Sequence, residues 1–191
     1  MYNNWDELKS ACLTCTRCPL GDTRTNLVFG VGNERAEVMF VGEGPGEQED
    51  LRGEPFVGRG GQLLDKYLGA IDLDRRENIY IANMVKCRPP GNRDPAQEEQ
   101  DSCLPWLREQ FRLLRPKIVV CLGRISAQRL ISPDFKVTKE HGRFYEKNGV
   151  LMMGTLHPAA LLRNPIQKPD ALEDFLNLRD KIKEVCSNTY K

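Results

Sequence analysis

The sequence has no apolar run approaching the roughly 20 residues that a membrane-spanning helix needs. Its first residues, MYNNWDELKSACL, lack the basic start and apolar core of a secretory signal. No membrane is therefore expected, and the chain is expected to work inside the cell, in the cytoplasm and about the nucleoid. Excess charge of either sign is also missing: 28 Lys and Arg stand against 27 Asp and Glu, a net charge of +1. A broadly basic coat for nucleic acid is excluded, whereas a local basic face is not. Histidine is scarce, with two residues, so any imidazole chemistry falls to His141 or His157. Internal repeats and low-complexity segments are absent, which excludes solenoids and fibrous arrays.

What is present fits one domain with a full core. The length is 191 residues, 40% of them hydrophobic and 29% charged, as in ordinary globular proteins. Four short, continuous apolar runs read as strands buried on both faces: Val38–Glu43, Ile79–Val85, Lys117–Gly123 and Val150–Leu156. Helical patterns lie between them. Gly61–Ile71 places Leu63, Leu64, Tyr67, Leu68 and Ile71 on one stripe. Pro95–Leu114 follows Asp94 as N-cap, with Pro105 expected to break or kink it. Ala171–Cys186 is an amphipathic C-terminal helix. Alternating strands and helices predict an α/β domain, a three-layer α/β/α sandwich around a four-stranded parallel sheet with right-handed crossovers. Ligands of such sheets bind at the carboxyl ends of the strands. The unusual segments Gly42–Gly46, Lys86–Pro95 and His157–Arg163 all follow strands there, which predicts one active site.

Seven cysteines in a reducing compartment point to metal binding or chemistry rather than disulfides. Cys121, in the run VVCLG, reads as a small buried hydrophobe, and Cys186 as inert. The remaining five are Cys12, Cys15 and Cys18 in C-x2-C-x2-C, then Cys87 and Cys103. They offer four thiolates to one centre and leave one surplus. A zinc site usually pairs two Cys knuckles, and here only one knuckle exists. Spacing leaves zinc and [4Fe–4S] both open.

The loop GEGPGEQEDLRGEPFVGRGGQLLD (42–65) is rich in glycine and acids. It lacks the Lys and Ser or Thr of a Walker loop and the third glycine of a dinucleotide fingerprint, and its charges would repel phosphate. It offers close main-chain approach through Gly42, Gly44 and Gly46, a path stiffened by Pro45, and the carboxylates of Glu43 and Glu47. Phe56 is placed to stack on a flat ligand or to join the core. Asn83, buried in a strand, carries a donor and an acceptor able to read a base edge. His157 stands where the fourth strand ends and can donate to an oxygen that gains charge; His141 reads as an ordinary loop residue. Lys86, Arg88, Arg93, Arg124 and Arg163 suit phosphates around such a pocket.

Taken together, GEGPGEQEDLRGEPFVGRGGQLLD, IANMVKCRPPGNRDP and TLHPAALLRNP resemble the iron–sulfur uracil-DNA glycosylases, called family 4. The resemblance runs from CTRCPLGDTRTNLVFGVG to the C-terminal helix, with every motif in order. It implies a [4Fe–4S] cluster on Cys15, Cys18, Cys87 and Cys103, with Cys12 surplus. It implies that Gly42–Glu47 is the water-activating and backbone loop and that Glu47 also crowds the C5 edge where thymine carries a methyl. Phe56 would stack on uracil, Asn83 would bond its O4 and N3, and His157 would stabilise O2. Better-known relatives carry an Asp where this chain has Gly44, so main chain and Glu47 are expected to hold the water instead. Arg88, Arg93 and Arg163 are expected to touch DNA. The implied protein is a monofunctional glycosylase, without lyase activity, acting on uracil in single- or double-stranded DNA, and a monomer. The alternatives are a sister glycosylase for other deaminated bases, a relative that traps uracil DNA covalently, a silent DNA-binding relative, and a zinc-stabilised nucleotide-binding protein. The trapping relatives carry a His-containing insertion where this chain has KCRPPGNRDP.

Overall fold

The four apolar runs all pair in the computed structural model, which describes residues 1–191. In chain order the elements are α1 (Trp5–Leu13), α2 (Leu20–Thr23), β1 (Val31–Gly32), β2 (Val38–Gly42), α3 (Glu47–Arg52), α4 (Arg59–Gly69), β3 (Tyr80–Asn83), α5 (Gln97–Leu114), β4 (Ile118–Leu122), α6 (Arg124–Leu130), α7 (Val137–Glu140), β5 (Phe144–Lys147), β6 (Val150–Thr155), α8 (Pro158–Arg163) and α9 (Lys168–Val185). Every residue of β2, β3 and β4 is buried. These strands carry no polar alternation because helices cover both faces. Side chains alternate between two cores. Val38, Phe40, Ile81 and Val120 pack with Leu64, Leu68, Phe175 and Leu178 from α4 and α9. Met39, Val41, Ala82, Val119 and Cys121 pack with Leu107, Leu114 and Ala127 from α5 and α6. Cys121 is fully buried, and that burial pushes its thiol up to about 12.

The sheet order is β1-β3-β2-β4-β6-β5. The expected parallel four-stranded core, β3-β2-β4-β6, is present. The expectation of only four strands is corrected to six, because each edge carries a short antiparallel strand. β1 spans two residues, too few for any periodicity to show. β5 pairs with β6 across Asn148 and Gly149, whose φ values are 53° and 76°. Positive φ at both positions is what the Asn-Gly pair of a tight hairpin supplies, so this strand had a sequence signal in KNGV.

Two details of α5 also differ from expectation. Asp94 does not cap it. The helix starts after Ala96, whose N–H donates to Glu99 Oε2 at 2.7 Å, and Asp94 pairs with Arg124 instead. Pro105 does not break it either, since α5 is continuous through Leu114. Pro105 and Asp101, whose carbonyl loses its partner, are both exposed, so the missing bond falls on the solvent side of the helix. His141 is more than a loop residue. Its Nδ1 lies 2.9 Å from Asp174 Oδ1, while Thr155 donates to Asp174 Oδ2 at 2.6 Å. The pair ties α9 to the end of β6, just before His157.

Candidate active site and cysteine pocket

The carboxyl ends of β3, β2, β4 and β6 lie side by side, so Asn83, Gly42, Gly123 and His157 share one edge. Gly42 and Asn83 are register partners. Asn83 is 2% exposed, and its Oδ1 is the one buried side-chain oxygen or nitrogen of the chain with no hydrogen-bond partner. An unpaired buried amide oxygen costs about 1–3 kcal/mol, so it signals a missing partner. Gly42 makes the room: a Cβ there would lie 2.4 Å from that oxygen and 2.6 Å from Phe56 Cζ. The Phe56 and His157 rings stand 5.8 Å apart at 33°. Four of the expected residues, Gly42, Phe56, Asn83 and His157, are thus brought together.

His157 caps α8. Its Nδ1 accepts from the Ala159 N–H at 3.1 Å, so the proton of the neutral ring sits on Nε2. Burial, and then the positive charge of Arg163, push its pKa down to about 4. At neutral pH the imidazole is therefore an uncharged Nε2–H donor. Gly123, at φ +94°, lets β4 close against it: a Cβ would meet His157 Cβ at 2.9 Å. No sequence signal marked Gly123.

The glycine-acid loop resolves into separate parts. Glu43 is half-buried. Burial first, and then the negative charge of Asp94, push its carboxyl up to about 7 against the opposing pull of Arg124 and Arg163. Gly44 has little space beside it, since a Cβ would lie 2.7 Å from Val85 Cγ2. Gly46 starts α3, and its N–H donates to Glu49 Oε2 at 3.1 Å. Glu49 Oε1 accepts from the Val57 and Gly58 N–H groups at 2.9 Å each. Sequence reasoning passed over Glu49, although its position three residues after the cap is a capping-box signal. Asp50 accepts from the Thr25 and Asn26 N–H groups. These two acids, Asp50 buried and Glu49 half-buried, fix the loop. Glu47 is instead largely exposed at the start of α3, 3.7 Å from Arg88.

The expected DNA-contact arginines differ in freedom. Arg88 donates to Asn92 Oδ1 at 2.7 Å. Arg93 is held two-pronged by Glu99 at 2.6 and 2.8 Å. Arg163 is exposed at the end of α8, near enough to Glu43 and His157 to shift both.

Beside the loop after β3 a pocket is lined by Cys15, Cys18, Cys87 and Cys103, with Lys86 and Trp106. Three N–H groups already point at its sulfurs. Trp106 Nε1 donates to Cys15 Sγ at 3.2 Å, Arg24 Nη1 to Cys87 Sγ at 3.3 Å, and the Lys86 amide to Cys103 Sγ at 3.2 Å. Donors to sulfur are what thiolate ligands of an iron–sulfur cluster take. All four thiols line this one pocket. The donor set therefore fits a cluster. Cys12 is fully buried and does not line the pocket.

The molecule is a three-layer α/β domain with an unpaired amide, an aromatic ring and a neutral imidazole at one sheet edge, an arrangement able to hold a planar, hydrogen-bonding ring. The chain belongs to the uracil DNA glycosylase superfamily, whose family profile matches residues 29–179. It is similar to the Type-4 uracil-DNA glycosylase of Archaeoglobus fulgidus, 44% identical over 95% of this chain and 92% of that one. It is likewise similar to the Type-4 uracil-DNA glycosylases of Saccharolobus solfataricus, 41% identical over 97% and 88%, and Thermotoga maritima, 45% identical over 78% and 79%.

Proposed function

We propose that this chain is a uracil-DNA glycosylase of the Type-4 kind, which hydrolyses the bond between uracil and its sugar, leaves an abasic site and so starts base excision repair. The observation that carries it is the unpaired, buried Oδ1 of Asn83 beside Gly42, whose missing side chain leaves room against both that oxygen and the Phe56 ring. Uracil offers an N3–H to that oxygen and an O4 to the amide Nδ2. Cytosine offers an unprotonated N3 and an amino group instead, leaving both partners mismatched. A base reaches the pocket only by flipping out of the stack, at a cost of a few kcal/mol.

Phe56 then stacks on the flipped base. The C1′–N1 bond breaks with its electron pair leaving on uracil, and the negative charge spreads to O2. His157 Nε2–H donates to that oxygen; being neutral, it stabilises the anion without giving up its proton. One such donor contributes about 3–4 kcal/mol. Water adds to C1′ and loses a proton. We assign that proton to Glu43 rather than Glu47, because Glu43 is half-buried with a carboxyl poised at about 7, while Glu47 faces solvent and Arg88. Main-chain groups at Gly44 orient the water, while those of Gly46 are already held by Glu49 and Asp50; Arg88, Arg93 and Arg163 contact phosphates. No lysine is assigned as a Schiff-base nucleophile, so no lyase step follows.

A [4Fe–4S] cluster on Cys15, Cys18, Cys87 and Cys103 is proposed as architecture: when bound, it ties the segment around α1 and α2 to α5 and to the loop after β3. Incubation with a uracil-containing oligonucleotide followed by alkali tests the activity. Strand cleavage at uracil is expected; intact strands, or equal cleavage at cytosine, overturn it.

A further inference from the structure

Phe56 holds a backbone conformation that its size disfavours. Its φ is +54°, in the left-handed region, where a bulky side chain persists only when its surroundings over-determine it. Two neighbours do so. Gly61, in the first turn of α4, presses against the Phe56 peptide, and a Cβ there would lie 1.7 Å from the Phe56 carbonyl oxygen. Arg75, in the loop between α4 and β3, is 8% exposed and donates from Nη1 to the Pro55 carbonyl and from Nη2 to the Phe56 carbonyl, both at 2.8 Å. Asp65 on α4 fixes the guanidinium by accepting from Nε at 2.8 Å. A planar fork with carbonyls on one edge and a carboxylate on another has one orientation. Relaxing φ at Phe56 requires turning the flanking peptides, which breaks both carbonyl bonds and carries the ring away from Gly42.

We propose that Arg75 is a positioning residue for base recognition: held by Asp65, it locks the Pro55 and Phe56 carbonyls so that the Phe56 ring is preset for the flipped base. The inference rests on Phe56 being the stacking residue.

The test is a double-mutant cycle. Uracil excision from an oligonucleotide is measured for wild type, Arg75→Met, Phe56→Ala and the double variant, with thermal unfolding of each. Arg75→Met is expected to lower kcat/KM roughly tenfold to a hundredfold, the population shift that a released left-handed strain allows. In the Phe56→Ala background the same change is expected to cost no more than about twofold, since no ring is left to place. An equal loss in both backgrounds overturns the proposal and leaves the stacking role standing. Full activity of Phe56→Ala overturns the stacking role, and the proposal with it. Asp65→Asn, at an exposed helix position, is the second variant should Arg75→Met not fold. It is expected to lower kcat/KM several-fold when the ring is present and not when it is absent, and an equal loss in both again overturns the proposal.

Discussion

Replacing Asn83 with leucine separates stability from function at a single atom. Leucine keeps the branched four-atom shape of asparagine with two methyls in place of the amide oxygen and nitrogen, and the site is a fully buried strand end. In the free protein Asn83 Oδ1 has no partner, so the wild type carries an unmet desolvation cost of about 1–3 kcal/mol. An apolar side chain removes that cost, and Asn83→Leu is expected to unfold at a higher temperature. At about 2–4 °C per kcal/mol for a domain of this size, the rise is about 2 °C or more. Excision should move the other way, because the transition state loses its contacts to N3 and O4. One such contact is worth about a hundredfold or more in rate. Differential scanning calorimetry and single-turnover cleavage of a uracil oligonucleotide measure the two effects. A melting temperature lowered by several degrees would show that the oxygen is satisfied in the free protein. Retained excision would show that the amide does not read the base. Either result refutes the argument from the orphaned atom.

Glu43→Gln should lower kcat about a hundredfold or more, as loss of a general base does. In the wild type the base acts deprotonated, so kcat/KM should rise with pH and level off above about 7; a Gln variant with an unchanged profile refutes the role. Because its carboxyl is raised in the folded state, Glu43 favours folding while protonated, and that contribution fades as pH rises from its ordinary 4.5 through about 7. His157 is held near 4, so its protonation should not limit activity at pH 5–6, and a second acidic limb there would contradict the neutral-donor role. Gly44→Asp should not supply a better base but lower activity, since its Cβ meets Val85 at 2.7 Å; combining it with Val85→Ala, which clears that contact, should recover part of the loss. Cys103→Ser should lower cluster absorbance and melting temperature more than it changes the choice between uracil and cytosine, and unchanged iron content would remove Cys103 from the ligand set.

Much of this was legible because the physics is local. Continuous apolar runs mark strands buried on both faces, and the positions just past them are where a parallel sheet binds ligands, so Gly42, Asn83 and His157 could be named from sequence. The edge strands were missed: β1 is two residues long, and β5 is half-exposed and polar, so its one signal was the Asn148-Gly149 turn rather than an apolar run. The acids of the 42–65 loop were ambiguous for a different reason. Glu43, Glu47, Glu49 and Asp50 look alike in sequence, and only burial sorts them into a poised carboxyl, a surface ion pair and two acceptors of backbone N–H groups. Arg75 was hidden because its partners are main-chain carbonyls, which any sequence provides.

The Asn83 site and the cysteine pocket meet on one chain segment. Asn83 ends β3 and Cys87 lies one short turn later, with Lys86 between them. The Lys86 amide donates to Cys103 Sγ, and its buried Nζ donates to the Asn83 carbonyl at 3.0 Å and to Gln110 Oε1 at 2.6 Å. Gln110 in turn donates to the Phe29 carbonyl and to the Tyr80 hydroxyl. The side chain of Asn83 lies at the proposed base site, while its carbonyl is held by Lys86, whose amide also donates to Cys103. A buried ammonium with only neutral acceptors is expensive on its own. Thiolates nearby would offset that cost, because Lys86 is the one cation sealed beside Cys87 and Cys103. The proposed base reading and the proposed cysteine ligation would therefore constrain the same residues from 83 to 87. A substitution that loosens the cysteine pocket is expected to reach Asn83 through its main chain before it disturbs the sheet.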